Sequence, residues 1–257
     1  LYLNVHTPNP APVNAPVMVW MHGGAFVFGE GLQTDQGTRG DLLAVEGAVV
    51  VSMNYRLGPF GFLAHPELTG EQGGSSGNYG LMDQRAALEW VRDNIAAFGG
   101  NPDDVTIFGE SAGGLSACLH MVSAQSRGLF HRVISESGLC DSELLPLAQT
   151  EAIGVSLADS LGCTGGGALA CMRAASVEAV KEASAAPTSV VTELSRERRF
   201  WASLDGAFLD RDFRSAVEAG DYADVPTVIG WNRDEGTLFI LLAETAGEAI
   251  DAAVYDA

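Results

Sequence analysis

A serine flanked by glycines is the pattern in this chain that points most directly to a chemical reaction. Residues 108–114 read Phe-Gly-Glu-Ser-Ala-Gly-Gly, which places Ser111 at the centre of a G-x-S-x-G motif. A serine hydroxyl becomes a useful nucleophile only when a tight turn presents it beside a base, and glycines leave room for such a turn. Taken alone, the motif is equally typical of a turn serine without a role. In its sequence context it predicts that Ser111 is a nucleophile.

The residues on either side of this motif predict the strand and the helix that such a turn requires. The segment 104–108 is short, apolar and β-branched, as expected for a strand, and 115–121 is typical of a helix that begins at the glycine pair. A strand, a sharp turn and a helix in this order expose a serine hydroxyl at the end of a sheet.

A second glycine-rich turn, His22-Gly23-Gly24-Ala25-Phe26, directly follows the apolar strand predicted over 17–21. Acyl transfer places negative charge on the carbonyl oxygen of the substrate, and each backbone N–H group aimed at that oxygen lowers the barrier by roughly 3 kcal/mol. Alone, this turn would be interpreted as an ordinary strand end. Beside the G-x-S-x-G motif it predicts an oxyanion hole, and His22 is interpreted as a residue that positions the loop.

Several further blocks, in a fixed order, make the chain resemble the type-B carboxylesterase family, which includes cholinesterases and bacterial p-nitrobenzyl esterases. Besides the two glycine-rich turns, the matching blocks lie at 1–5, 54–58, 61–63, 77–84, 90–102, 130–138 and 230–237. The resemblance implies the α/β-hydrolase fold, in which helices flank a mostly parallel central sheet. Family members are much longer than this chain, so the resemblance also implies a fold that is incomplete at both ends.

The resemblance implies a role for each residue that matches a family motif. It implies that Ser111 attacks a carboxylic ester and that Glu235 orients the catalytic histidine of a Ser-His-Glu triad. The oxyanion donors would be the amides of Gly24, Ala25 and Ala112. The implied activity is that of a carboxylesterase, a serine hydrolase that cleaves neutral, small-molecule carboxylic esters through an acyl-enzyme intermediate.

Other residues in the matching blocks are expected to support the site without taking part in the reaction. The resemblance implies that Glu110 and Ser137 belong to a hydrogen-bonded network behind the triad, and His22 supports the oxyanion loop. Arg56 and Asp83 match positions that the family joins in a salt bridge beneath the site. We expect that pair to be structural.

The histidine of the implied triad is not identified in this chain. The five histidines all precede Glu235, whereas the family's base lies well downstream of the acid; they are His6, His22, His65, His120 and His131. His120 is predicted on the helix behind the nucleophile, with its side chain in packing or solvent. We expect none of the five to be the base and interpret the chain as a fragment cut at both ends. The alternative is a catalytically inactive fragment or a cholinesterase-like binding or adhesion module.

The alternation of predicted strands and helices favours one partial α/β-hydrolase domain over residues 1–257. Strands are predicted near 1–5, 17–21, 48–54, 104–108, 132–137 and 225–230, mostly as short apolar runs typical of buried parallel sheets. The clearest helix begins near Tyr79 and ends at Gly99-Gly100. Residues 139–200 are predicted to form an insertion of helices and loops over the sheet.

Composition excludes several classes of function. The net charge of −19, from 14 Lys plus Arg against 33 Asp plus Glu, argues against nucleic acid and anionic membrane surfaces as partners. No apolar run is long enough to cross a membrane. No metal-ligand spacing and no phosphate-binding glycine loop is present, so neither a metal nor a cofactor is predicted.

The four cysteines allow three pairings if all are oxidised. The family often carries a disulfide around a short glycine-rich loop, so the resemblance implies a bond between Cys163 and Cys171. The alternative is two reduced thiols in a cytosolic enzyme. Cys118 is predicted to be a core residue, and Cys140 has no predicted role. A disulfide favours a secreted or other extracytoplasmic location without deciding it.

Overall fold

A computed structural model describes residues 1–31, 39–184 and 200–245 of the chain. The strands are β1 (Leu3–His6), β2 (Ala15–Met21), β3 (Val49–Met53), β4 (Gly100–Glu110), β5 (Arg132–Glu136), β6 (Leu145–Pro146), β7 (Ser203–Leu204) and β8 (Thr227–Gly230). The helices are α1 (Gly40–Ala44), α2 (Gly58–Phe62), α3 (Pro66–Glu71), α4 (Tyr79–Asn94), α5 (Ala112–Val122), α6 (Leu147–Ser160), α7 (Ala168–Ala174), α8 (Val177–Ser184), α9 (Phe213–Ala219) and α10 (Glu235–Thr245).

Six of the strands form one sheet in the order β1-β3-β2-β4-β5-β8. Strand β1 runs antiparallel to β3, and the other four pairings are parallel. Strands β6 and β7 form a separate two-residue pair. Parallel neighbours end at the same edge of a sheet, so the turns that follow β2, β4 and β5 lie together at one edge.

The central strands are apolar because both of their faces are covered. Val17 and Val19 of β2 and all five residues of β3 are buried. This is the burial expected for short apolar runs in a parallel sheet. Strand β8 differs from that expectation, since all four of its residues are exposed. It is the outermost strand of the described sheet and pairs only with β5 within that range.

Helix α5 follows the predicted nucleophile and crosses the interior. Every residue from Ala112 to Val122 is buried, and a mostly apolar helix that is buried on all sides belongs in a core. Helix α4 packs beside it through one apolar face that includes Leu81, Leu88 and Val91. It begins at Tyr79 as predicted and gives way to a 3₁₀ turn that ends at Gly99.

Helices α6, α7 and α8 form a helical layer inside the predicted insertion 139–200, of which residues 185–199 lie outside the described part. Six buried side chains hold α6 and α7 to α3 in a second small core: Leu68, Ala158, Cys163, Ala168, Leu169 and Met172. Helix α8 buries none of its residues. A cavity of about 460 Å³ lies between this layer and helices α2 to α4. Among the described helices, none is long and apolar enough to cross a membrane.

Candidate active site

The two glycine-rich turns meet because the strands before them are parallel neighbours. Met21 at the end of β2 lies opposite Gly109 near the end of β4. The chain after Met21 therefore runs against the chain after Gly109. A Cβ atom added to Gly23 would lie 2.8 Å from the carbonyl oxygen of Glu110 and 3.1 Å from Cβ of Ser111. The predicted oxyanion loop thus touches the turn of the predicted nucleophile.

The turn at Ser111 is sharp and strained. Its φ of 57° and ψ of −122° are unfavourable for any residue with a side chain, and such a conformation costs about 1–3 kcal/mol. Two backbone hydrogen bonds hold it, because the Ser111 amide donates to Glu136 of β5 at 2.8 Å and its carbonyl accepts from Leu115 at 2.9 Å. Gly113 has no room for a side chain, since an added Cβ would collide with the carbonyl oxygen of Met21.

The predicted oxyanion loop also has an unusual backbone. Gly24 has a φ of 102°, and Ala25 and Phe26 lie in the left-handed region at 52° and 59°. Among the described residues, the amides of Gly24 and Ala25 donate no hydrogen bond to the protein. Ala112 is the first residue of α5, a position whose N–H has no partner within a helix. Within the part of the chain that the structure describes, these three amides thus have no protein acceptor.

His22 lies beneath the loop and is almost fully buried. Its Nδ1 donates to the carbonyl oxygen of Gly23 at 2.8 Å, since that oxygen can only accept. The ring stacks on Tyr55 at 4.2 Å, and the Tyr55 hydroxyl donates to the His22 carbonyl at 2.6 Å. Burial lowers the pKa of His22, which keeps the imidazole neutral. A neutral ring held on two sides fixes the direction in which the loop leaves β2.

The predicted acid, Glu235, is the first residue of α10 and is held from two sides. Ser137 donates through Oγ to Glu235 Oε1 at 2.5 Å, and the Asn232 amide donates to the same oxygen at 2.6 Å. These two hydrogen bonds, the first most of all, lower the pKa of Glu235. The carboxylate is therefore ionised at neutral pH. Ser137 is held in turn by its amide, which donates to Gly230 at 2.7 Å.

Glu110 adds a second carboxyl group to this edge of the sheet. Its Oε2 would lie 3.1 Å from a Cβ added to Gly23, so its side chain lies against the predicted oxyanion loop. Burial raises the pKa of Glu110, and the charges of Glu235 and Glu136 raise it further. A carboxyl group with a raised pKa beside an ionised one is a common feature of reactive sites.

No histidine reaches the predicted nucleophile in the described part of the chain. None of the hydrogen bonds there joins an imidazole to Ser111. His65 and His131 each accept a hydrogen bond from a backbone amide through Nδ1, and His6 packs beside α1. His22, His65 and His120 are buried. The described residues also hold no group of three His, Cys, Asp or Glu side chains that could bind a metal ion.

Comparison with known proteins decides the family. The model of the carboxylesterase family matches residues 1–253, nearly the whole length. The chain belongs to the carboxylesterase family. The resemblance seen in the sequence is thereby confirmed.

Relatives of this chain come from bacteria and animals. It is 41% identical over 240 residues to the para-nitrobenzyl esterase of Bacillus subtilis (strain 168), covering 93% of this chain and 47% of that protein. It is 43% identical over 238 residues to the acylcarnitine hydrolase of Mus musculus, covering 91% and 40%. It is 39% identical over 255 residues to cholinesterase 1 of Branchiostoma lanceolatum, covering 94% and 68%. The chain thus spans less than half of the first two relatives.

Solved structures agree with the predicted fold. A p-nitrobenzyl esterase structure is similar with a TM-score of 0.81 and 39% identity, covering 93% of this chain and 50% of that one. A thermophilic p-nitrobenzyl esterase gives a TM-score of 0.80 and 37% identity, covering 93% and 48%. Together with the mostly parallel sheet flanked by helices, these similarities confirm the α/β-hydrolase fold.

Behind the turn of the predicted nucleophile lies a buried network that the sequence did not reveal. Gln84 Nε2 donates to Ser116 Oγ at 3.1 Å, and Ser116 donates to the Ala112 carbonyl at 2.8 Å. His120 Nε2 donates to Gln84 Oε1 at 3.0 Å, and Ser126 Oγ lies 2.7 Å from His120 Nδ1. Burial lowers the pKa of His120 to about 3. The signal available in the sequence was a serine and a histidine in the otherwise apolar segment of α5, since a polar side chain buried there must find partners.

The structure corrects the interpretation of Cys140. It forms a disulfide with Cys118, whose Cα lies 5.6 Å away, so both cysteines have a structural partner. Cys118 is fully buried, in agreement with the expected core position. The pairing arises because the turn after β5 folds back onto α5, a contact across 22 residues. The structure also joins Cys163 to Cys171 around the glycine-rich loop between α6 and α7.

The salt bridge expected beneath the site is present. Both Arg56 Nε and Arg56 Nη2 donate to the Asp83 carboxylate at 2.8 Å, and the Arg56 amide donates to it at 2.9 Å. The Asp83 side chain is only 6% exposed, whereas that of Arg56 is 46% exposed. The pair joins the loop before α2 to α4.

Proposed function

We propose that this chain provides the nucleophile, the oxyanion hole and the acid of a serine carboxylesterase. The observation that carries the proposal is the strained turn at Ser111, which lies against the loop of Gly23 to Ala25. A backbone conformation that costs about 1–3 kcal/mol is typical of functional sites. Near this turn, the amides of Gly24, Ala25 and Ala112 have no protein acceptor among the described residues.

In the proposed reaction, Ser111 Oγ attacks the ester carbonyl carbon and gives its proton to a base. The negative charge on the carbonyl oxygen is stabilised by the amides of Gly24, Ala25 and Ala112. The intermediate collapses to an acyl-enzyme as the C–O bond to the alcohol breaks and the base returns the proton to the alcohol oxygen. Water then attacks the acyl carbon and gives a proton to the base. The bond between that carbon and Ser111 Oγ breaks, the base returns the proton to Oγ, and the carboxylic acid is released.

The base in this reaction is an imidazole, and the proposal takes it from outside these 257 residues. Glu235 would accept a hydrogen bond from its Nδ1–H and stabilise the imidazolium that forms. The lowered pKa of Glu235 keeps it ionised for this purpose. Ser137 and Glu110 would hold the acid and shape its electrostatic surroundings.

Neutral carboxylic esters are the proposed substrates. Two relatives are named for the hydrolysis of p-nitrobenzyl esters and of acylcarnitines, both of which are carboxylic esters. The acidic cluster of Glu110, Glu136 and Glu235 beside the nucleophile would repel an acyl group that carries a negative charge. We therefore propose acyl groups without an added charge.

Hydrolysis of p-nitrophenyl acetate by the 257-residue chain tests the proposal, with and without free imidazole as an external base. We expect turnover that rises with imidazole and that Ser111→Ala abolishes to the level of imidazole in buffer. A triad mutant keeps only a residual acceleration, so the increase should come from restored general-base catalysis. Equal rates for wild type and Ser111→Ala at every imidazole concentration would contradict the proposal.

A catalytically inactive or binding role is the second candidate. The observation that favours it is the lack of an imidazole at Ser111 among the described residues. That role predicts no covalent acylation of Ser111 by a p-nitrophenyl ester even with imidazole present. Intact-mass spectrometry distinguishes the two, since an acyl-enzyme adds the mass of one acetyl group at Ser111.

A further inference from the structure

The Cys118–Cys140 disulfide joins the two segments that carry the predicted nucleophile and the residue that holds the predicted acid. Cys118 lies seven positions after Ser111 on α5, and Cys140 lies three positions after Ser137. The bond therefore connects the helix behind the nucleophile directly to the turn behind Glu235. Both sulfur atoms are in the interior, since the two cysteines are 0% and 9% exposed.

The turn that Cys140 ends is itself strained. Ser137 has a φ of 51° and Leu139 a φ of 44°, so two residues with side chains lie in the left-handed region within three positions. Gly138 between them lies against the first turn of α5, because an added Cβ would be 2.5 Å from the Gly114 carbonyl carbon. Residues in such conformations persist only where their surroundings enforce them.

The strained turn determines where the Ser137 hydroxyl points. Its Oγ donates to Glu235 Oε1 at 2.5 Å. On the other side of the turn, Ser135 Oγ donates to the Gly114 carbonyl at 3.0 Å and lies 3.5 Å from Cys140 Sγ. A shift of this turn away from α5 would therefore move the group that holds the carboxylate of Glu235.

We propose that the Cys118–Cys140 disulfide positions the acid: it holds the strained turn 137–139 against α5, and through Ser137 it sets Glu235 relative to Ser111. The cysteines touch no reacting atom and act through Ser137. The effect on the rate rests on the proposed esterase function. The effect of the disulfide on the turn 137–139 does not depend on that function, and hydrogen exchange measures it separately.

Hydrogen exchange of the backbone amides tests the structural part in the 257-residue chain. We expect C118A/C140A to accelerate exchange over residues 137–142 by about tenfold or more, because local opening of the turn becomes easier. The matched control is C163A/C171A, which removes the disulfide of the helical layer and should leave the turn unchanged. Unchanged exchange in C118A/C140A, or the same increase in both variants, would overturn the proposal.

Ester hydrolysis with imidazole tests the catalytic part through a double-mutant cycle with Ser137→Ala. We expect C118A/C140A to lower kcat by about tenfold with KM little changed, and to lower it less than about twofold when Ser137 is already alanine. C163A/C171A should keep the wild-type kcat. An equal loss with and without Ser137 would show that the bridge does not act through that side chain and would overturn the positioning role.

The C163A/C171A variant also permits a test without substitution of Cys118 or Cys140, which matters if C118A/C140A does not fold. It contains one disulfide, which can be reduced and reoxidised reversibly. Faster exchange at 137–142 on reduction, with recovery on reoxidation, supports the proposal, and unchanged exchange overturns it. If wild type shows no Ser111-dependent turnover, the esterase function fails while the exchange experiment still decides whether the bridge holds the turn.

Discussion

The glycine-rich turns at the carboxyl edge of the sheet and the glycine-rich loop between α6 and α7 have similar compositions and opposite surroundings. A Cβ added to Gly109, Gly113 or Gly114 would press against backbone atoms of neighbouring strands and turns. A Cβ added at 165–167 would meet nothing within 4 Å. Glycine at the sheet edge therefore permits close approach of backbone segments, whereas in the α6–α7 loop it only permits a turn.

This difference extends to the polar groups of the two regions. At the sheet edge and behind it, side chains such as His120, Gln84 and Asp83 are buried and bonded. In the helical layer, the ion pair between Arg173 and Glu71 is about half exposed. A buried polar group costs much when it loses its partner, and an exposed one costs little. The same kind of substitution should thus have a large effect in one region and a small effect in the other.

The largest expected effect is that of Gly113→Ala. The added methyl group would collide with the carbonyl oxygen of Met21, a backbone atom that cannot rotate away. We expect the free energy of unfolding to fall by at least about 4 kcal/mol, or the variant not to fold. Urea denaturation followed by circular dichroism measures this, and a midpoint equal to that of wild type would contradict the close packing of β2 on α5.

The next largest effect is a loss of folding stability at low pH that arises from the buried side chain of His120. Its pKa is about 3 in the folded protein, because of burial and then the charge of Arg85, whereas an exposed histidine titrates near 6.5. Below pH 6.5 the unfolded chain binds a proton that the folded protein does not, so stability falls as pH decreases from 6.5 toward 3. This group alone should cost roughly 3 kcal/mol between pH 7 and pH 4.5.

Urea denaturation of wild type and His120→Gln at those two pH values isolates the contribution of His120. Other groups titrate in both proteins, so the difference between the two pH dependences belongs to this residue. We expect the variant to be less stable at pH 7 and to lose less stability on acidification. Equal pH dependence in the two proteins would mean that His120 is not neutral and buried in the folded state.

A smaller effect is expected for Asp83→Asn. The amide cannot accept both hydrogen bonds from the Arg56 guanidinium, and the position is almost fully buried. We expect a loss of about 2 kcal/mol in the free energy of unfolding. Glu71→Gln removes the matching bidentate contact to Arg173 in the helical layer and should leave stability within experimental error. Equal losses for the two variants would remove the contrast between the regions.

The smallest expected effect is that of Gly166→Ala, the counterpart of Gly113→Ala. The position has open space around it. We expect a change of no more than about 0.5 kcal/mol in the free energy of unfolding, of either sign. A large loss measured by the same urea denaturation would show that the α6–α7 loop is packed more closely than the structure indicates.

Local patterns predicted most of the sheet and its main helix. The strand expected over 17–21 is β2, that over 48–54 is β3, and helix α4 begins at Tyr79 as expected. Strand β4 is longer than predicted and begins at Gly100, because its polar first half pairs with β2 through Ala15 and Gly100. An apolar pattern does not mark a strand segment whose side chains are partly exposed. The short helices α1 to α3 were missed for a related reason, since 5–6 residues carry little periodicity.

The sequence by itself determined the family, the fold class and the positions of the two glycine-rich turns, because ordered motifs and the apolar patterns of strands are local properties of the chain. The tertiary structure alone decided that Cys140 bonds to Cys118, that His120 bonds to Gln84, and which glycines face a neighbouring backbone. Each of these depends on which segments the sheet brings together across more than 20 residues of chain. Such contacts leave no periodic signal, since they depend on chain topology rather than on neighbouring residues.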